Sequence, residues 1–201
     1  MQDFNKEIEQ TILAMKQNFG FKERAFESFS FGSVPECKVL LEQAMLAGDN
    51  TMSKFTYLPE FDEVADWLSD TKGKGLFLTG NVGRGKTNII HYVLPVLFMA
   101  KFTKVVNCYN AEDVNAKFAE IRRKKFISID EMGVEPIVND YGAKHEAMNN
   151  VFNIAETESK VLFVSSNLTG SEILGRYGVR TMDRIKRLCR VIKFSGESLR
   201  R

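Results

Sequence analysis

A parallel α/β sheet with helices on both faces, preceded by a small helical N-terminal region, is the fold predicted by this 201-residue sequence. Two observations predict it. From residue 75 onward, short apolar runs alternate with amphipathic stretches of helical length, the pattern of βαβ units. The first run leads into "GLFLTGNVGRGKTNII" (residues 75–90), which holds four glycines. Glycine inside an element costs about 0.5–1 kcal/mol, so this much backbone freedom beside a lysine and a threonine asks for a ligand that the backbone must approach closely.

Taken in chain order, "FNKEIEQTILAMKQNFGF" spaces Phe4, Ile8, Ile12, Met15 and Phe19 by three or four residues and predicts an amphipathic helix ending near Gly20. Its apolar stripe is a candidate partner surface over residues 4–19, with packing into the protein's own core as the alternative. "KVLLEQAMLAGDN" predicts a second helix closed by Gly48, and "EFDEVADWLSD" a third carrying Val64, Trp67 and Leu68. "GLFLTG" then reads as a buried strand and "KTNIIHYVLPVLFMAK" as a helix. Pro95 should kink that helix, because it cannot bond the carbonyl of His91. "KVVNCYN" predicts a strand, "AEDVNAKFAEIRRK" a helix, "KFISIDEM" a strand, "YGAKHEAMNNVFNIAETES" a helix and "KVLFVSSNL" a strand. Two basic helical stretches follow, running to "CRVIKFSG". The expected division is a helical region over 1–54 and the α/β domain over 55–201.

Composition narrows the class. Hydrophobic residues make up 44% and charged residues 27%, which excludes a disordered chain. The longest apolar run, near "VLPVLFMA", is too short to span a bilayer, and the charged N-terminus lacks a signal peptide's apolar centre. Cys37, Cys108 and Cys189 are widely separated, so neither a disulfide framework nor a zinc site is indicated and a reducing, cytoplasmic setting is expected. The net charge of +2 is uneven: residues 176–201 hold nine cations against Asp183 and Glu197. Such a basic end points to an acidic partner or to a solvated helix face.

Gly80, four residues, then Gly85-Lys86-Thr87 completes G-x-x-x-x-G-K-[ST] between a strand and a helix, the setting that a P-loop requires. The glycines let successive N–H groups turn inward around phosphate oxygens, and the helix start adds its unpaired amides and positive dipole end. The candidate nucleotide-binding residues are Gly80, Asn81, Val82, Gly83, Arg84, Gly85, Lys86, Thr87 and Asn88. Lys86 would reach the β- and γ-phosphates of ATP, and Thr87 would bind Mg²⁺. The strand "FISIDEMG" supplies Asp130 as the second magnesium residue and Glu131 as the base that orients and deprotonates water. In "VLFVSSN", Asn167 follows a third apolar strand, where its amide would touch both the water and the γ-phosphate.

"GNVGRGKT", "ISIDEMGVEP", "VSSNLT" and "RYGVRTMDRI…VIKFSGESLR" together resemble the AAA+ domains of DnaC-like bacterial helicase loaders, and also the IstB-like ATPases that assist transposases. The resemblance covers about residues 55–200. It implies an ATP- and Mg²⁺-dependent ATPase that forms homo-oligomers on ATP and works with a replicative helicase on single-stranded DNA. The alternatives are a transposase and duplex DNA, or an ATP-holding scaffold with little turnover. It further implies that the arginine of "MDR", Arg184, is a finger reaching the ATP site of the next subunit, with Arg180 one turn earlier assisting. Lys186, Arg187 and Arg190 remain candidates for DNA backbone contact, or for a solvated face.

Overall fold

The computed structural model describes residues 2–19, 26–48, 55–136, 138–140, 143–145 and 147–199. Helices α1 (Gln2–Phe19), α2 (Val34–Gly48) and α3 (Glu60–Ser69) precede strand β1 (Gly75–Gly80). The helical stretch after the glycine loop has three parts: α4 (Lys86–Asn88), a π-helical turn (Ile89–Val93) and α5 (Leu94–Phe102). There follow β2 (Val106–Asn110), α6 (Val114–Ile121), β3 (Phe126–Met132), β4 (Val138–Asp140), β5 (Ala143–His145), α7 (Ala147–Thr157), β6 (Val161–Ser166), α8 (Gly170–Leu188) and β7 (Cys189–Phe194).

Five strands form one sheet in the order β2-β3-β6-β1-β7, every neighbouring pair parallel. Such a sheet is buried on both faces, and the alternation along β1 shows how. Leu76 and Leu78 join one apolar cluster with α2, α3 and the helix that follows the glycine loop. Phe77 points the other way, into a cluster with α6, α7 and α8. Cys37, Leu41, Ala44 and Met45 of α2 are buried in the first cluster, so α2 shares the sheet's core. On α1, by contrast, Ile8, Leu13 and Met15 are exposed; the side chains of Phe4, Ile12 and Phe19 lie outside those described.

Three elements differ from the sequence expectation. The helix expected from Tyr141 begins at Ala147, because Val138–Asp140 and Ala143–His145 pair as an antiparallel hairpin; Asn139, Asp140 and Gly142 are turn formers rather than helix formers. The "CRVIKF" segment, expected at the end of a basic helix, is strand β7, in register with β1 from Gly75↔Cys189 to Gly80↔Phe194. Its buried Cys189, Ile192 and Phe194 and its β-branched Val191 suit a half-buried strand. At Pro95 the disruption takes the form of a π-helical turn just upstream, which widens the helix. The carbonyl oxygens of this turn find other donors: Ser128 Oγ at 2.8 Å from Ile90, and the Cys108 thiol at 3.9 Å from His91. The two basic helical stretches are joined within α8 at Gly178, whose φ of 79° and ψ of 171° are not helical.

Candidate nucleotide site at the carboxyl end of the sheet

The carboxyl ends of β1, β6 and β3 lie side by side, because β6 is hydrogen-bonded to both of its neighbours. Ligands of open parallel sheets bind beyond such ends. Here β1 delivers Gly80, β6 delivers Asn167 one residue past its last position, and β3 delivers Asp130 and Glu131.

The loop after β1 turns on positive φ values at Gly80 (121°), Gly83 (76°) and Gly85 (86°). Gly80 is fixed by a second constraint, since a Cβ there would stand 1.9 Å from the carbonyl oxygen of Phe194. Lys86 is buried, and its Nζ donates to the carbonyls of Gly80 (2.8 Å) and Asn81 (2.7 Å). The ammonium thus sits within the loop's curve. Thr87 donates from Oγ1 to Asp130 Oδ2 at 2.9 Å, so two hard oxygen ligands from β3 and the loop meet at one point. That is the donor chemistry Mg²⁺ takes when it also binds phosphate.

Glu131 owes its orientation to a defect in the sheet. Ile129 pairs with Val164 but Met132 pairs with Ser166, so β3 has one residue more than β6 over this interval. Such a bulge re-aims a side chain. Glu131 takes a left-handed φ of 59° and is exposed at the sheet end, a conformation that costs a non-glycine residue about 1–3 kcal/mol. Ser165 braces the bulge: it donates to Asp130 Oδ1 and accepts from the Glu131 N–H at 3.0 Å. Sequence reading passed over Ser165. Its signal was there, a pair of buried serines, Ser165 and Ser166, closing an apolar run just before Asn167.

Beyond the bulge, Glu135 is buried and takes the Gly133 N–H (2.8 Å), the Tyr177 hydroxyl and the Arg176 guanidinium. Arg176 also donates to the Gly133 carbonyl. The exit of β3 is therefore tied to the first half of α8. These three residues were likewise unassigned from sequence.

The side chains of Arg84 and Arg184 are both held by partners within the chain. The Arg84 guanidinium turns away from the loop and pairs with Glu60 of α3 at 2.8 Å, leaving only its backbone to face a ligand. Burial pushes the Glu60 carboxyl up, but its own backbone N–H, the Ser195 N–H and Arg84 together hold it below the usual carboxylate range. Arg184 is buried in its own chain, with Nε 2.8 Å from Glu156 Oε2 and Nη2 2.6 Å from Asn153 Oδ1, both on α7. Arg180 is exposed on the same segment. Of the remaining candidates, Val82 is exposed at the loop tip. Asn81 fastens the loop to the C-terminal segment through its side chain on the Gly196 carbonyl (2.7 Å).

His91, on the π-helical turn, is half-buried, with no partner for Nε2. Burial holds its imidazole below the ordinary value, against the opposing pull of the Asp130 charge and a bond to the Tyr109 backbone.

No family model and no curated relative matches the chain. Solved structures do. The fold is similar to that of the DnaC helicase loader (TM-score 0.58, 12% identity, 75% of this chain and 98% of that one). It is similar to DnaI (0.56, 16%, 76% and 94%). It is also similar to AMPPCP-bound DnaA from Aquifex aeolicus (0.52, 12%, 71% and 49%), about half of whose length it spans. Among the described residues no helix is long and apolar enough to cross a membrane. The chain has the α/β fold of the DnaC and DnaI helicase loaders.

Proposed function

We propose that this protein binds Mg²⁺-ATP in the loop of residues 80–87, hydrolyses it, and acts as a helicase loader in DNA replication. The observation that carries the reading is the 2.9 Å contact of Thr87 Oγ1 with Asp130 Oδ2, beside a buried lysine in a glycine-lined loop. Bound Mg²⁺ would supply charge neutralisation at the phosphate oxygens, held by Thr87 and Asp130. Lys86 shifts from the loop carbonyls to the phosphates. Glu131 orients water and takes its proton, and Asn167 steadies that water against the γ-phosphate. Hydrolysis that depends on assembly needs a cation from a neighbouring copy, and the exposed Arg180 fills this part in place of Arg184. A finger supplied in trans contributes about 10³–10⁵ in rate in enzymes that use one.

The loader assignment draws on the sequence resemblance taken together with the fold shared with DnaC and DnaI. A replicative helicase is then the partner, met by the exposed Ile8, Leu13 and Met15 of α1, and single-stranded DNA is the track. Glu131→Gln tests the core of this reading. The variant is expected to bind Mg²⁺-ATP with wild-type affinity and to turn it over about 10²–10⁴ times more slowly. Asp130→Asn should instead lose the magnesium dependence of binding. Equal loss of affinity in both variants contradicts the assignment of roles.

A further inference from the structure

At the opposite end of the sheet from the glycine loop, the starts of β1 and β7 open into a cavity of about 400 Å³. Its lining includes Asp70, Lys72, Lys74, Lys186 and Arg190, four cations against one carboxylate. Chain segments far apart in sequence supply them: the α3–β1 turn gives two lysines, the end of α8 one and β7 the arginine.

The cavity is rigidly built. Trp67 forms part of its floor, almost wholly buried, with the indole N–H on the Lys74 carbonyl at 3.0 Å. The turn into β1 is held by Lys72 N–H on Asp70 (2.9 Å), Lys74 N–H on the Thr71 carbonyl (2.8 Å) and Thr71 N–H on the Phe29 carbonyl (2.9 Å). Lys72 has a left-handed φ of 49°, a position where glycine or asparagine is the usual choice. Lys74 reaches across to the backbone carbonyl of Lys186 at 3.1 Å, which brings those two lysines to one rim.

The charges are unevenly satisfied. Arg190 is paired with Asp66. Asp70 is occupied by Ser28 (2.9 Å) and by the Lys72 N–H. Among the described residues, no carboxylate forms a salt bridge with Lys74 or Lys186, while the Asp70 carboxylate feels the charge of the nearby Lys72. Three ammonium groups collected on a rigid rim attract an anion with repeated charges.

We infer that this cavity binds the phosphodiester backbone of a nucleic-acid single strand. Lysines act as hydrated point charges that suit phosphate oxygens without demanding one geometry. Among the described lining residues the one large aromatic ring, Trp67, is sealed in the floor with its N–H taken, so contact through the lysines is with the backbone. Binding should therefore be insensitive to sequence and sensitive to salt. β1 and β7 both run from this cavity to the glycine loop, about 17 Å away at ~3.3 Å per residue. The inference gives the proposed DNA-associated function a contact site, yet its test does not depend on ATP chemistry.

The probe is a short fluorescein-labelled oligothymidylate, titrated at low salt with the full chain. Lys72→Glu/Lys186→Glu should lower affinity roughly tenfold or more, and the neutral pair Lys72→Gln/Lys186→Gln should reduce the salt slope by about 1.4, near 0.7 for each lost contact on a single strand. Lys101→Glu, an exposed charge on α5, should leave both unchanged, and ATP affinity should stay at the wild-type value in every variant. Wild-type affinity and slope in both double variants would overturn the inference. So would a polyglutamate peptide competing as well as the oligonucleotide, which would mark an acidic protein segment as the occupant. Failure of the wild type to bind ATP, with oligonucleotide binding intact, would instead sink the ATPase reading and leave this one standing.

Discussion

Ser165 links the two carboxylates on which the site depends, bonding Asp130 through its hydroxyl hydrogen and the Glu131 N–H through its oxygen. Ser165→Ala removes both bonds and leaves the part-buried Glu131 amide without this partner, a loss of about 1 kcal/mol or more in stability. Turnover should fall further than ATP affinity does, because the bulge that aims Glu131 loses its brace; a parallel fall in both would contradict that role. The arginines separate in the same way. Arg184→Ala takes a partner from the buried Glu156, which keeps Arg187, so its cost should lie near or below the ~3 kcal/mol lower end for a broken buried pair. The readout is melting temperature. Arg180→Ala should leave melting temperature unchanged and lower turnover only where copies assemble, at high protein concentration or on DNA. Losses in the reverse pattern would restore Arg184 as the finger. The sequence resemblance names Arg184 as the finger and Arg180 as its helper; the pairing of Arg184 with α7 is a tertiary contact that only the fold exposes.

At the scale of elements, the strands β1, β3 and β6 and their terminal residues were legible because buried parallel strands are short apolar runs between turn residues. The bulge in β3 was not, since "FISIDEM" carries no glycine or proline to mark it; only the register against β6 exposes it. β7 was hidden by its own charges: Arg190 and Lys193 stand on an edge strand, and in sequence they continue the basic pattern of α8. Lysine on an edge strand is also a barrier to unwanted pairing. The π-helical turn carries a pH prediction. The folded protein holds His91 below its ordinary value of about 6.5, so the unfolded chain takes up the proton first as pH falls. The stability tied to neutral His91 is then complete above that value and is lost as pH drops toward the folded one. Melting temperature should decline over that interval in the wild type, and the decline should be shallower in His91→Gln. Parallel curves would show that the imidazole is not responsible.

Across the whole molecule, one sheet supports two charged ends of different kinds. The carboxyl end holds the lysine and carboxylates of the proposed nucleotide site, and the amino end holds a basic cavity. Residues 194–199 bind the carboxyl end to the rest of the chain: the Phe194 carbonyl accepts the Asn81 N–H (3.0 Å), the Glu197 carbonyl accepts Arg84 (3.2 Å) and the Leu199 N–H donates to Gly83 (3.0 Å). The glycine loop is thus held from two sides, by this segment and by Glu60 on α3. Arg84, which the motif places among the ligand contacts, braces the loop's shape with its side chain. The measurement that tests the account most directly is equilibrium binding of ATP, with and without Mg²⁺, to the wild type and to Lys86→Ala. The wild type should bind more tightly with Mg²⁺ than without. Lys86→Ala should stay folded and lose at least about 1.5–3 kcal/mol of binding free energy, the worth of a charge-assisted contact to phosphate. Unchanged affinity in Lys86→Ala, or a wild type that binds no nucleotide, would contradict residues 80–87 as the site.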